Sequence, residues 1–329
     1  MTFTLTPRSN VLLNSPLTTN GNDKDCNAAI HLGLDDASYR KLDGMSYSDL
    51  KLVAEKTPIH LLQKLHGPQV PPTPAVRAAW DVGTAVHCAI LEPDRWRVAE
   101  KPSEVESGGF ITRPLETMGR TKIATEAYSQ WRQALPPGVI VLTNEQVQQA
   151  NSIASAVITH PIASVLLERL ICSEISLQFQ RKRAPKVGRC RLDAVVSSVE
   201  DDGSVILVDL KTAVDASLEG WKKSIANFRY HMQASYYIEG FQQCFSDKIR
   251  DWLWIVVEKT PPYAVAVHSA DELLLDRGDL DINTSGERWE ALQLAMNGRA
   301  AIDCLDDSKF CQFHGYPLEI QSATLPNWF

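Results

Sequence analysis

The sequence predicts a mixed α/β fold, a central sheet flanked by helices with a helical N-terminal part. Three observations predict it. Apolar residues recur at helical spacing through most of the first half of the chain, as in Ala75 to Leu91. The middle switches to runs rich in β-branched residues, notably Gly188 to Ser198 and Gly203 to Thr212, separated by the turn-forming Glu200-Asp201-Asp202-Gly203. Two more helical segments, two more strands and a last helix then follow, an order that calls for layers of helix on both sides of a sheet.

Taken in order, residues 1 to about 40 have no sustained period and are rich in Asn, Thr, Ser and Asp, so a variable arm is expected there, ahead of a single domain over 41–329. That domain divides into a helical front (41–172), a core carrying the chemistry (173–270) and a helical closure (271–329). Ser46 to Asp49 caps a first helix, and Pro58 to Leu65 forms a second before prolines break the chain. Ala75 to Leu91 is a helix that ends at Glu92-Pro93 and carries His87 among the small residues Gly83, Thr84 and Cys88. Glu100 to Arg120 shows little periodicity and is expected to be a surface loop. Helices follow over Thr121 to Ala134, Thr143 to Thr159 and Pro161 to Leu170, then strands at Glu174 to Gln180, Gly188 to Ser198 and Gly203 to Thr212. Ser217 to Ala226 and Arg229 to Phe245 are helical. Asp251 to Glu258 and Tyr263 to His268 pair as strands, and Thr284 to Ala300 closes the fold.

At 329 residues and 44% hydrophobic, the chain can bury a large core. No apolar run reaches the ~18 residues of a membrane span, and the N-terminus lacks the pattern of a secretory signal, so a cytoplasmic protein is expected. Seven scattered cysteines fit reduced thiols. The net charge of -7 argues against a protein that coats nucleic acid over its whole surface. Any such contact must be local, and a local patch exists: Arg181, Lys182, Arg183, Lys186, Arg189 and Arg191 lie within eleven residues free of acids. Asp271 to Glu290 holds seven acids against two bases, so the surface is expected to be polarised.

In the strand ending Asp209-Leu210-Lys211, alternation puts Asp209 and Lys211 on one face and Leu210 on the other. The preceding hairpin brings Asp193 beside Asp209. Two adjacent carboxylates repel unless a cation lies between them, and hard oxygen donors suit Mg²⁺, with Mn²⁺ able to substitute. Lys211 would face the water or phosphate held there. On the helix from Arg229, Tyr230, Gln233 and Tyr237 share a face at i, i+3 and i+7.

Five ordered elements together resemble the PD-(D/E)XK nucleases, and among them the RecE-type exonucleases of phages and prophages. They are Gly83-Thr84-Ala85-Val86-His87-Cys88 with Leu91-Glu92-Pro93, Glu174 opening a strand, Arg191-Leu192-Asp193, Val208-Asp209-Leu210-Lys211-Thr212, and the Gln-x-x-x-Tyr of Gln233 and Tyr237. Leu192 stands where the family name has proline, and Asp209 takes the (D/E) position. The resemblance implies a restriction-endonuclease-like core. It further implies a Mg²⁺ site made by Asp193, Asp209, the Leu210 carbonyl and His87, with Glu174 as an additional acid, Lys211 as the group that orients or deprotonates water, and Gln233 and Tyr237 on the DNA. The activity implied is exonucleolytic hydrolysis of linear double-stranded DNA from its ends, 5′ to 3′, leaving 3′ single strands. A ring-shaped homo-oligomer, a tetramer in the family's pattern, and a phage single-strand annealing recombinase as partner come with it. A structure-dependent endonuclease and a non-catalytic DNA-binding protein of the same shape are the alternatives.

Overall fold

The computed structural model describes residues 28–119, 121–200 and 202–316. Residues 28–40, expected within the variable arm, hold a strand β1 (Ala29–His31) and all but the last residue of a short helix α1 (Asp36–Lys41). The strand is too short for alternation to show in sequence, and tertiary contact rather than propensity holds it: it pairs with the outer edge of the main sheet, Ile30 opposite Leu177. A two-residue strand β2 (Met45–Ser46) leads into α2 (Tyr47–Glu55), where the Ser46 amide donates to Asp49 Oδ2 at 2.9 Å. This is the reciprocal cap that the polar cluster foretold. Next come α3 (Pro58–His66) and α4 (Pro74–Leu91), each opened by a proline whose missing N–H costs nothing in a first turn.

The segment expected to be a loop, Glu100 to Arg120, instead contributes the middle strand of a small second sheet. Its strands β3 (Val98–Ala99), β4 (Phe110–Thr112) and β5 (Ile140–Leu142) run parallel, with α5 (Lys122–Gln133) inserted before the last. Strands of two or three residues leave no readable period, and what orders them is burial of Val105, Ile111 and Val139. The helices α6 (Asn144–Thr159) and α7 (Pro161–Glu168) complete the helical front. No single helix among the described residues is long and apolar enough to cross a membrane.

The main sheet is mixed. Strands β6 (Leu170–Gln180), β7 (Val187–Ser197) and β8 (Val205–Ala213) run antiparallel to one another. After α8 (Leu218–Phe228) and α9 (Tyr230–Cys244), β9 (Ile249–Glu258) joins β8 in parallel, and β10 (Val265–Ser269) folds back on it. The order across the sheet is β1-β6-β7-β8-β9-β10, with β2 pairing to β7. Helix α10 runs over Glu272–Met296, three turns earlier than its apolar pattern suggests, followed by α11 (Ala301–Asp306) and α12 (Ser308–Phe313). Its first turns carry acids and Gly278 rather than an apolar stripe, and contact with α9 holds them. A Cβ at Gly278 would lie 2.3 Å from the His231 carbonyl oxygen, and Ser235 Oγ donates to the Leu275 carbonyl at 2.6 Å.

The sheet separates two apolar cores. On one side Leu207, Trp254 and Ile175 pack with Trp221, Met232, Tyr236 and Phe241 from α8 and α9. On the other, Val208, Leu210 and Ile255 pack with Val86, Ala89, Ile153 and Leu166 from α4, α6 and α7. Alternation along β8 makes this division: odd-numbered Val205 and Leu207 face α9, and even-numbered Ile206, Val208 and Leu210 face α4.

A candidate metal centre at the fork of the sheet

Strands β7 and β8 are paired from Ser197↔Val205 to Ala194↔Val208 and then part. Beyond that point β8 continues along β9 as far as Ala213↔Glu258, while β7 takes β2 as its neighbour at Gly188 and Arg189. Asp193, the first residue past the last pair, fills the opening, its Oδ2 accepting from the Leu210 amide at 2.9 Å. The Leu210 N–H thus holds the Asp193 carboxylate, and the Leu210 side chain is buried in the α4-side core.

Glu174 reaches the same opening through an unusual backbone. It lies in β6 between the pairs Ser173↔Ala194 and Ile175↔Leu192, with a left-handed φ of 50°. Such a conformation costs a non-glycine residue on the order of 1–3 kcal/mol and persists only where flanking structure imposes it, commonly at functional sites. The third contributor comes from the helical layer: His87 Nδ1 is 3.7 Å from Glu174 Oε1 and 3.7 Å from Asp193 Oδ2. One donor atom from each of His87, Glu174 and Asp193 falls within 4.8 Å of the others, and all three side chains are partly exposed. Two carboxylates and an imidazole in this spacing fit a divalent cation with oxygen preference, Mg²⁺ or Mn²⁺. Burial alone would lower the His87 pKa, but Asp193 and Glu174 outweigh it and hold the imidazole above its ordinary value.

Asp209 and Lys211 stand on the α9 side of the same fork. Asp209 is 1% exposed; its Oδ1 accepts from Gln233 Nε2 at 2.8 Å and its Oδ2 forms an ion pair with Lys211 Nζ. Beyond that ion pair Oδ2 has no hydrogen-bond partner. Burial pushes the Asp209 carboxyl up to about 6, with Asp193 adding to the rise and Lys211 opposing it. Burial works against the Lys211 ammonium, yet Asp209 and Asp193 hold its pKa above the ordinary lysine value. The ammonium also sits 5.3 Å from the centre of the Tyr230 ring, which is stacked at 5.2 Å and 20° on the buried Trp221. Such a contact favours a cation at a partly desolvated site. Sequence reasoning missed the part Tyr230 plays at Lys211; its i, i+3 relation to Gln233 was the one signal pointing there.

The predicted residues are thus brought together unevenly. His87, Glu174 and Asp193 form the donor cluster, whereas Asp209 is engaged by Gln233 and Lys211. Gln233 is buried rather than presented at the surface. Tyr237, one turn on, packs edge-on against Trp252 at 6.0 Å, and burial pushes its phenol well above the ordinary value.

The basic run splits in two. Arg181 is buried, pairing with Glu239 at 2.8 Å and donating to the Ala184 carbonyl and Asn283. Arg189 donates to the Leu42 and Gly44 carbonyls. Arg191 donates to Ser176 Oγ at 3.0 Å and the Leu34 carbonyl at 2.9 Å, and lies over the Tyr39 ring. These three guanidinium groups fasten the N-terminal segment and α10 to the sheet. Lys182, Arg183 and Lys186 remain exposed at the β6–β7 turn.

One solved structure shares this architecture at the level of fold. Among solved structures, a protein of Eubacterium rectale described as a "Putative exonuclease" shares 11% identity with a TM-score of 0.50, over 79% of this chain and 86% of its own. SSO0001 matches at 16% identity and a TM-score of 0.25, over 62% of this chain and 84% of its own. No curated protein matches. The profile of the PDDEXK-like domain of unknown function, DUF3799, matches residues 46–304, from the strand before α2 into α11. With its donor cluster and Asp-x-Lys pair set in that matched span, the chain belongs to the DUF3799 family of PDDEXK-like domains.

Proposed function

We propose that this protein is a metal-dependent nuclease, and within that class an exonuclease on linear double-stranded DNA. The observation that supports it most is the convergence of His87, Glu174 and Asp193 beside the buried Asp209–Lys211 pair, at a fork reached from both sides of the sheet. A divalent cation held by His87, Glu174 and Asp193, with Asp209 adjacent, would supply charge neutralisation for a phosphodiester and acidify water. The chain's own groups do the rest. Lys211 Nζ, charged and braced between Asp209 and the Tyr230 ring, is placed to donate to a phosphate oxygen or orient the attacking water. Gln233 fixes the Asp209 carboxylate through Oδ1 and so sets the direction of the ion pair. Attack from an end in the 5′-to-3′ sense, assembly into a ring, and delivery of the product strand to a single-strand annealing protein belong to the same reading by analogy with the RecE-type enzymes.

Linear and closed circular duplex DNA, each with Mg²⁺, with Mn²⁺ and with EDTA, test the reading. Linear DNA is expected to be degraded with either metal, and EDTA to stop it. Equal cleavage of closed circles would make the protein an endonuclease, and turnover in EDTA would remove the metal site from the chemistry.

With a net charge of -7, long-range attraction to DNA is weak, so short-range interactions with phosphates must carry affinity. Replacing Lys182, Arg183 and Lys186 together by glutamine is expected to flatten the salt dependence of duplex binding, by about 0.9 in the log–log slope for each phosphate that is no longer neutralised. An unchanged slope in a titration from low to high salt would place the DNA path away from the β6–β7 turn.

A further inference from the structure

Helix α4 presents two apolar stripes, and only one of them is used by the fold. Val82, Ala85, Val86 and Ala89 pack into the α4-side core. On the far side of the helix, Val76, Trp80, Gly83 and His87 follow one another at spacings of four, three and four residues and so share a face. Val76 is 42% exposed and Trp80 is 54% exposed. At Gly83, between Trp80 and His87, an added Cβ would meet nothing within 4 Å. Midway between the exposed indole and the imidazole of the donor cluster, the face is therefore open.

We infer that Trp80 is a stacking platform for an unpaired nucleobase of the strand whose phosphate lies at the His87–Glu174–Asp193 cluster. The inference rests on the nuclease reading and deepens it by naming the substrate feature: a single-stranded or frayed end. The seven residues from Trp80 to His87 span about 10 Å of helix, which equals roughly three base steps of ~3.4 Å. A phosphodiester at the cluster thus brings a base a few nucleotides away level with the indole. The apolar indole offers a π-face and no ionic group, which suits a base rather than a phosphate, and base–aromatic stacking tolerates any sequence. The glycine at position 83 keeps the backbone of the strand from being held off the helix.

The test uses the full-length protein with Ca²⁺ in place of Mg²⁺, so that binding is read without turnover. The probe is a short single-stranded oligodeoxynucleotide carrying 2-aminopurine at successive positions from its end. Wild type is expected to quench the probe at a position a few nucleotides in. Trp80→Ala is expected to lose that quench and bind roughly 5- to 150-fold more weakly, the range set by stacking energies. Trp80→Phe should retain most of the affinity, and all three proteins should melt at the same temperature and sediment alike. If wild type binds and Trp80→Ala binds equally well, the platform is refuted while the nuclease reading stands. If wild type neither binds the oligonucleotide nor degrades linear duplex, both fall. A changed sedimentation coefficient in free Trp80→Ala makes the stripe a subunit contact and overturns the inference.

Discussion

Asp193→Asn is expected to lower the rate of DNA cleavage at least a thousandfold while the protein stays folded. Asparagine keeps an oxygen that can accept from the Leu210 amide, so the local hydrogen bond at 2.9 Å survives the change. What disappears is one negative charge from a cluster whose other donors are His87 and Glu174. Stabilisation of the transition state by a bound cation amounts to several kcal/mol, and each loss of about 1.36 kcal/mol is a factor of ten in rate. Single-turnover digestion of linear duplex in Mg²⁺, beside a thermal melt of the same preparation, reads both quantities. A folded variant that cleaves at the wild-type rate would show that the cluster is not where hydrolysis occurs.

Arg181→Ala is expected to destabilise the fold by about 3 kcal/mol, because it leaves the buried Ala184 carbonyl and Asn283 unpaired, empties a buried site and strips the partly exposed Glu239 of its partner. The Arg181 side chain is 1% exposed, against 29% for Glu239, and its remaining donors hold the Ala184 carbonyl and Asn283. Its guanidinium also lies 5.2 Å from the centre of the Tyr236 ring, inside the α9-side core. A fall in melting temperature of roughly 5–15 °C follows for a domain of this size. The contrast with the exposed Lys182, Arg183 and Lys186 is the informative part: their neutralisation should leave the melt unchanged and alter only the salt dependence of binding. A stable Arg181→Ala protein with weakened DNA binding would reverse that assignment.

Much of the architecture was legible in the sequence because the elements that carry it are long. The three central strands and the helices flanking them each show several turns or alternations of pattern, and the fork residues Asp193, Asp209 and Lys211 follow from strand alternation and one hairpin. Three things were not legible. The small sheet of Val98, Phe110 and Ile140 is built from strands too short to have a period. The first half of α10 carries charge and glycine where a helix signal would need an apolar stripe, and its close fit to His231 and Ser235 exists only in three dimensions. The basic run reads as one patch, yet alternation in β7 and the docking of residues 34–44 turn Arg189 and Arg191 to structural use. At the site, His87 was reached through resemblance rather than physics, since a lone histidine on a helix among small residues has no spacing that marks it as a ligand.

If the fork is the active site, as proposed, it also sets when a chain acquires activity. Its groups come from α4, β6, β7, β8 and α9, so His87 reaches Asp193 and Gln233 reaches Asp209 only after both apolar cores have closed. A chain still emerging from the ribosome holds His87 long before α9 exists, and a proteolytic fragment that lacks either helix holds an incomplete set. Contacts between residues so distant in sequence are slow to form. On the nuclease reading, hydrolytic competence arrives with the completed domain, and a fragment lacking α4 or α9 is expected to be inactive.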